Sequence, residues 1–139
     1  MTTVDFTVDE KGTQLVRQSM PFAGELEIEV LSSSKEEIRS RITWTAQRCT
    51  IGGALHGGAL MTLADATAAA LAFMNLPEGA QGTTTIESKT NFLRSVRAGH
   101  ANARSRVLHA GRRVIVVETD ITADDGKPVA KVIQTQAVL

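Results

Sequence analysis

From residue 25 the chain alternates with a period of two: Leu26, Ile28 and Val30 interleave with Glu25, Glu27 and Glu29, the pattern of a strand with one buried face. The stretch SSSK forms a turn, and Ile38, Ser40, Ile42 and Trp44 then alternate with Arg39, Arg41, Thr43 and Thr45, which predicts a second strand. A glycine-rich segment, TIGGALHGG, follows and leads into a helix-length apolar run that PEG closes at residues 77–79. After Gly82 strand composition returns in TTTIESKTNFL, and segments 101–109, 112–123 and 129–138 follow, joined by Ala110 with Gly111 and by Asp124, Asp125 and Gly126. Short Gly and Asp connections are hairpin chemistry, so the last four strands are expected as an antiparallel meander. Residues 1–20 carry a weak helical pattern around Val8 to Val16 and are expected as an arm or a short helix. The order is two strands, one long helix and four strands in a single domain, 1–139, an α+β chain. One helix cannot cover both faces of such a sheet, so the sheet curls around it or its other face meets another molecule.

On a wheel of about 100° per residue, Leu60, Leu63, Ala64, Thr67, Leu71 and Met74 form the helix's core stripe. Asp65 lies off that stripe, among Met61, Ala69 and Ala72, so the second face is also apolar. A helix apolar all round is buried all round, and a second subunit is the natural cover. Asp65 then becomes a carboxylate at an interface with no Lys or Arg at helical spacing to neutralise it. The competing reading is an exposed acid, or one paired with an arginine across the interface.

Composition narrows the classes. Fifteen basic and fifteen acidic residues cancel, so no overall field argues for nucleic acid or an acidic membrane. Asp65 and two threonines interrupt the longest apolar run, which argues against a membrane span, and the acidic start MTTVDFTVDE is unlike a secretory signal. The lone Cys49 has no internal partner, in keeping with a reducing compartment, and a cytoplasmic location is expected. His56, His100 and His109 show no metal-ligand spacing with one another or with Cys49, so no metal is expected. Seven basic residues and no acid lie between residues 88 and 117. Such a block suits a polyanionic ligand, or equally a sheet face balanced by acids on neighbouring strands.

Gly57 and Gly58 sit where the helix begins, and the first amides of a helix have no internal partners and carry the positive end of its dipole. With no side chain in the way, such an N–H can polarise a carbonyl oxygen. His56 could position this loop, contact substrate or simply close the helix entrance. Gly57 and Asp65 are eight residues apart, roughly 12 Å along a straight helix. One carbonyl cannot touch both, so if both act together the amide comes from one chain and the carboxylate from a second.

These residues resemble the hotdog-fold acyl-CoA thioesterases, in the branch that includes the phenylacetyl-CoA thioesterase of phenylacetate degradation. The resemblance runs from about Phe22 to Leu139 and is carried by LHGG (55–58), LAD (63–65), NFLR (91–94) followed by Gly99, GRR (111–113) and DDGKPVAK (124–131). It implies a sheet wrapped around one helix, a homodimer that forms the active site, usually a homotetramer, and hydrolysis of an acyl-CoA with coenzyme A as part of the substrate and no other cofactor. It assigns Asp65 as nucleophile or general base and the Gly57 amide, beside Gly58, as the group that polarises the carbonyl. Two positions depart from the family pattern: Thr50 stands where many members have Asn or Gln, and Ala69 where many have Ser or Thr. In another branch a hydroxyl at the start of the strand after the helix positions the water, for which Thr85 is the best match. Arg94, Arg112 and Arg113 are the candidates for the coenzyme's phosphates. Met61, Ala68 and Ala72, with residues of a partner, would line the acyl pocket. The alternative is a module that binds acyl-CoA without hydrolysing it.

Overall fold

The structure, a computed structural model, describes residues 7–139; the first six residues of the expected N-terminal arm lie outside the described residues. Helix α1 (Glu10–Ser19) is capped by Asp9, whose carboxylate accepts the Gly12 N–H at 3.0 Å. A second helix, α2 (Pro21–Glu25), follows with Pro21 in its first turn, where the missing N–H costs nothing. It overturns the expected start of the first strand, because the alternation from Glu25 continues through a helix end. Glu27 takes a positive φ of 53°, and the Arg17 guanidinium holds the carbonyls of Ile28 and Glu27, each at 2.9 Å. The first strand, β1, is Glu29–Ser33.

The remaining elements are β2 (Glu37–Thr43), the long helix α3 (Gly57–Met74), β3 (Thr83–Phe92), β4 (His100–Ala110), β5 (Val114–Thr122) and β6 (Pro128–Val138). Every strand pair is antiparallel and the sheet order is β1-β2-β4-β5-β6-β3. The expected four-strand meander therefore holds only for β4-β5-β6. Strand β3 pairs with β6 on the far edge, because residues 93–99 form a crossover and not a turn. That crossover is pinned by the buried Val96, whose carbonyl accepts the Leu55 N–H at 2.9 Å, and by Leu93 N–H on Val129 O at 2.8 Å.

The sheet wraps α3, which touches β2 through β6. Leu60, Leu63, Ala64, Ala68 and Leu71 pack against Ile42, Ala101, Ile115, Val117, Ile121, Val129 and Val132, all buried. Each fully buried Leu or Ile contributes about 1.5–3 kcal/mol, and the alanines let the helix lie close to the concave sheet. Ser40 with Thr67 (2.6 Å) and Ser105 with Thr119 (2.7 Å) satisfy the hydroxyls inside this core. Met74 departs from the expected core stripe and is partly exposed, since the helix ends as it leaves the sheet. By length and mean hydropathy (18 residues, 1.4) α3 would suit a membrane span despite Asp65 and the threonines; in the fold it is the helix inside the sheet.

The outer face of the sheet is a grid of charge pairs. Glu37 meets Arg39 and Arg104, Glu29 meets Arg41, and Glu118 and Asp120 meet Arg106 and Lys131. Arg104 and Arg106, from the acid-free block, are thus balanced by acids on neighbouring strands. Burial alone would raise the Glu37 carboxyl, but the hydrogen bonds from Arg104 and Arg39 outweigh it and hold it below its ordinary value. The hydrogen bonds that Lys131 donates to Glu118 and Asp120 raise it above its own.

Candidate active site

Two features of the chain before α3 fix how the helix begins. Trp44 Nε1 donates to Gly53 O at 2.9 Å, and the His56 N–H returns to Arg48 O at 2.8 Å, which closes the loop around Thr50. His56 is the N-cap: its Nδ1 accepts the Gly58 N–H at 2.8 Å, so Nδ1 carries no proton in this arrangement. A Cβ on Gly58 would lie 2.9 Å from that nitrogen, so only glycine leaves room for the cap. Of the two amides expected to be free, Gly58 is therefore committed to His56. The Gly57 N–H finds no acceptor among the described residues. A Cβ on Gly57 would meet the Phe92 ring at 3.0 Å, so the ring at the end of β3 lies over the first turn of the helix.

Asp65 is exposed in the single chain and is held from the sheet side. Its Oδ1 accepts the Thr85 hydroxyl at 2.7 Å and the Gln134 Nε2 at 3.0 Å. Gln136 Nε2 in turn donates to Thr85 Oγ1 at 2.6 Å. An ionised carboxylate only accepts, so the amide nitrogen of Gln134 is the end that faces it, and Thr85 can donate to Asp65 because it accepts from Gln136. Both bonds fall on Oδ1, and Oδ2 has no donor among the described residues. The register of β3 makes this possible. Thr85 pairs with Gln136 and Glu87 with Thr135, leaving Ile86 as an extra residue in a bulge beside the site, which re-aims the strand.

Around Asp65 the exposed surface of α3 is apolar, with Met61 and Phe73 exposed and Ala69 half-buried. Ala68 and Ala72 are fully buried against the sheet, so neither belongs to this face nor lines an acyl pocket beside it. Ile86, Phe92 and Leu93 extend the exposed apolar surface along the β3 edge.

Of the residues singled out in the sequence, Asp65 and Thr85 are brought into contact, and His56, Gly57 and Gly58 share the first turn of α3 about two turns away. Met61 lies on α3 between Gly57 and Asp65. Thr50 is exposed in the loop before the helix, its N–H bonded to Ala54 O at 2.9 Å. The three arginines are not gathered in one chain. Arg94 is tied by its N–H to Val129 O (3.2 Å) at the start of β6, whereas Arg112 and Arg113 form the β4–β5 turn, with Arg113 O accepting the N–H of Val138 at the other end of β6. Nine residues of strand, roughly 30 Å, separate those ends. Gln134 and Gln136 were not anticipated. Their signal is that β6 carries Val132, Gln134 and Gln136 at successive inward positions, where the period demands apolar side chains. Among the described residues no group of three or more His, Cys, Asp or Glu is placed to hold a metal ion.

Residues 52–130 match the Thioesterase superfamily. The chain belongs to that family. SSO2140 of Saccharolobus solfataricus is 33% identical over 114 residues, covering 82% of this chain and 80% of that protein. PA1618 of Pseudomonas aeruginosa is 32% identical over 87 residues, which span 63% of this chain and 60% of PA1618. A crystal structure of a variant of the thioesterase PA1618 superposes with a TM-score of 0.86 at 24% identity, covering 99% of both chains. The E. coli PaaI protein, from the phenylacetic acid degradation operon, gives 0.82 at 23% identity over 93% of this chain and 91% of its own. The likeness to these two structures is one of fold: six antiparallel strands around a long helix, the hotdog thioesterase fold.

Proposed function

We propose that the protein hydrolyses an acyl-CoA thioester at a site shared by two chains of a homodimer. The observation that carries this reading is the carboxylate of Asp65, held on one oxygen by Thr85 and Gln134 and free on the other, in the middle of an exposed apolar helix face. A group so positioned can act on a substrate once the face is covered and water is excluded. The free amide of Gly57 lies too far along the same helix to serve the same carbonyl, roughly 12 Å for eight residues. A second copy laid antiparallel along this face would bring its Gly57 amide to the first chain's Asp65, and the same contact would repeat at the symmetry-related site.

In that site the thioester oxygen accepts the Gly57 N–H, which lies at the positive end of the α3 dipole and gains strength as charge develops on the oxygen. Asp65 Oδ2 either attacks the carbonyl carbon directly or takes a proton from an attacking water. By either route the C–S bond breaks, the coenzyme A thiol leaves with a proton, and water supplies the oxygen of the released acid. Thr85, Gln134 and Gln136 fix which carboxylate oxygen is presented. His56 holds the first turn and thereby aims the Gly57 N–H. Thr50, one turn of loop earlier, would border the thioester, and Gly58 and Met61 its covered flank. Arg94, two residues beyond Phe92, is the nearest of the three arginines to the amide end and would meet the coenzyme's phosphates; Arg112 and Arg113 would do so only from another chain. A coenzyme A substrate makes the cytoplasm the place of action, and phenylacetyl-CoA is one member of the panel that should be assayed.

Thiol release from acyl-CoAs by the Asp65→Asn variant tests the reading. The expected result is a folded dimer with turnover reduced by at least about a thousandfold, as for loss of a nucleophile or base. Tight acyl-CoA binding with no thiol release by the native protein would favour the binding module instead, a reading to which Thr50 and Ala69 lend support.

A further inference from the structure

Next to the Asp65–Thr85 pair lies a cavity of about 410 Å³ between α1 and the second half of α3. Its walls include Leu15, Val16 and Met20 of α1 and Ala69, Ala70 and Phe73 of α3, and among the described residues none that lines it carries an ionisable side chain. Two independent elements connect it to the site. Ala69 is one helical turn beyond Asp65, and Thr83, which also lines the cavity, stands two residues before Thr85 on the same face of β3. The α1 wall is anchored: Thr13 Oγ1 accepts the Val30 N–H at 2.8 Å, the Asp9 N–H reaches Val30 O at 2.8 Å, and Arg17 grips the chain at Glu27 and Ile28.

We propose that this cavity is the acyl pocket, and that the substrate class is an uncharged acyl group of about six to ten carbons. The proposal rests on the thioesterase reading and adds to it the length and polarity of the acyl group. At roughly 30 Å³ for a water-sized group, 410 Å³ holds about fourteen heavy atoms, so a chain of about ten carbons is accommodated and one of sixteen projects beyond the walls. A carboxylate or ammonium held against these apolar walls would lose water and find no ionic partner among the described lining residues.

The test is thiol release from straight-chain acyl-CoAs of four to sixteen carbons, together with an octanoyl-CoA bearing a terminal carboxylate. Native protein is expected to gain about fourfold in kcat/KM per methylene up to about ten carbons, then to lose activity, and to discriminate at least about a hundredfold against the terminal carboxylate. Ala70→Phe narrows the cavity and should lower the ratio of decanoyl to butanoyl activity about a hundredfold. Leu15→Glu, at an exposed position that the fold tolerates, puts a charge in the wall and should lower the same ratio. Activity with unaltered ratios in both variants would overturn the pocket while leaving the thioesterase reading intact. If no acyl-CoA releases thiol, that reading fails, and displacement of cis-parinaric acid by decanoate decides the cavity by itself: displacement that is lost in both variants supports it, and its absence or persistence overturns it.

Discussion

Replacing Thr85 by Val removes one oxygen and keeps the shape, and the consequences can be worked from two distances. The hydroxyl donates to Asp65 Oδ1 at 2.7 Å and accepts from the fully buried Gln136 at 2.6 Å. Loss of a hydrogen bond to a charged group costs about 1.5–3 kcal/mol, and if it is felt in the transition state kcat falls about 10- to 100-fold with little change in KM. The second loss is one of stability. Gln136 Nε2 becomes a buried donor without an acceptor, at about 1–3 kcal/mol, which for a domain of this size lowers Tm by about 5 °C. These two effects separate when Gln136→Leu is added. Removing both partners leaves no orphaned group, so Tm should recover while kcat stays at the single-variant level. Thr85→Ser, which keeps the hydroxyl, should retain most of the native kcat. Steady-state thiol release and thermal melts on native protein, Thr85→Val, Gln136→Leu and the double variant give the cycle. A Thr85→Val protein with kcat within about twofold of native, or a Gln136→Leu change that lowers kcat equally whether or not Thr85 is present, would refute the relay.

His56→Ala removes the N-cap acceptor for Gly58 N–H and is expected to cost about 1 kcal/mol, a fall of about 3 °C in Tm, whereas His56→Asn, which can still cap, should recover most of it; equal melts for the two variants would contradict the capping role. Glu37 is held below its ordinary value of 4.5, so its contribution is present above that pH and is lost as the pH falls through its folded value. Thermal melts between pH 6 and pH 3 should therefore show a smaller acid loss of Tm for Glu37→Gln than for native protein, and the same slope for both would contradict this.

Periodicity carried the fold where local chemistry decides structure. The strand from Ile38 to Trp44, the helix opening at Gly57 and the last hairpin turns all follow from spacing and turn residues. It failed where distant contacts decide. Helix α2 replaces a strand start because Arg17 and Pro21 reorganise residues 21–28, and β3 crosses to the far edge because Val96 anchors residues 93–99 beneath the loop before α3. At the site, Asp65 was legible as one acid in an apolar run. Thr85 among three threonines needed the bulge at Ile86 to select it, and Gln134 with Gln136 could be found only by asking why an inward strand face turns polar. The arginines show the limit of a linear charge count. The block that holds them splits between the paired outer face and two opposite strand ends.

The division of the site between two chains is the central claim, and hybrid dimers test it most directly. Gly57→Pro deletes the proposed donor at a helix position where proline is favoured, after a residue whose φ of −60° and ψ of 135° suit it, and its Cβ requires only that the exposed Phe92 ring shift by a few tenths of an ångström. Each homodimer, Asp65→Asn or Gly57→Pro, should be inactive in thiol release. A hybrid purified from cells that make both chains with different tags contains one intact Asp65–Gly57 pair, and should regain about half the native activity per dimer. A hybrid as inactive as its parents would contradict the shared site, and a homodimer of Gly57→Pro with native turnover would contradict the role of the amide.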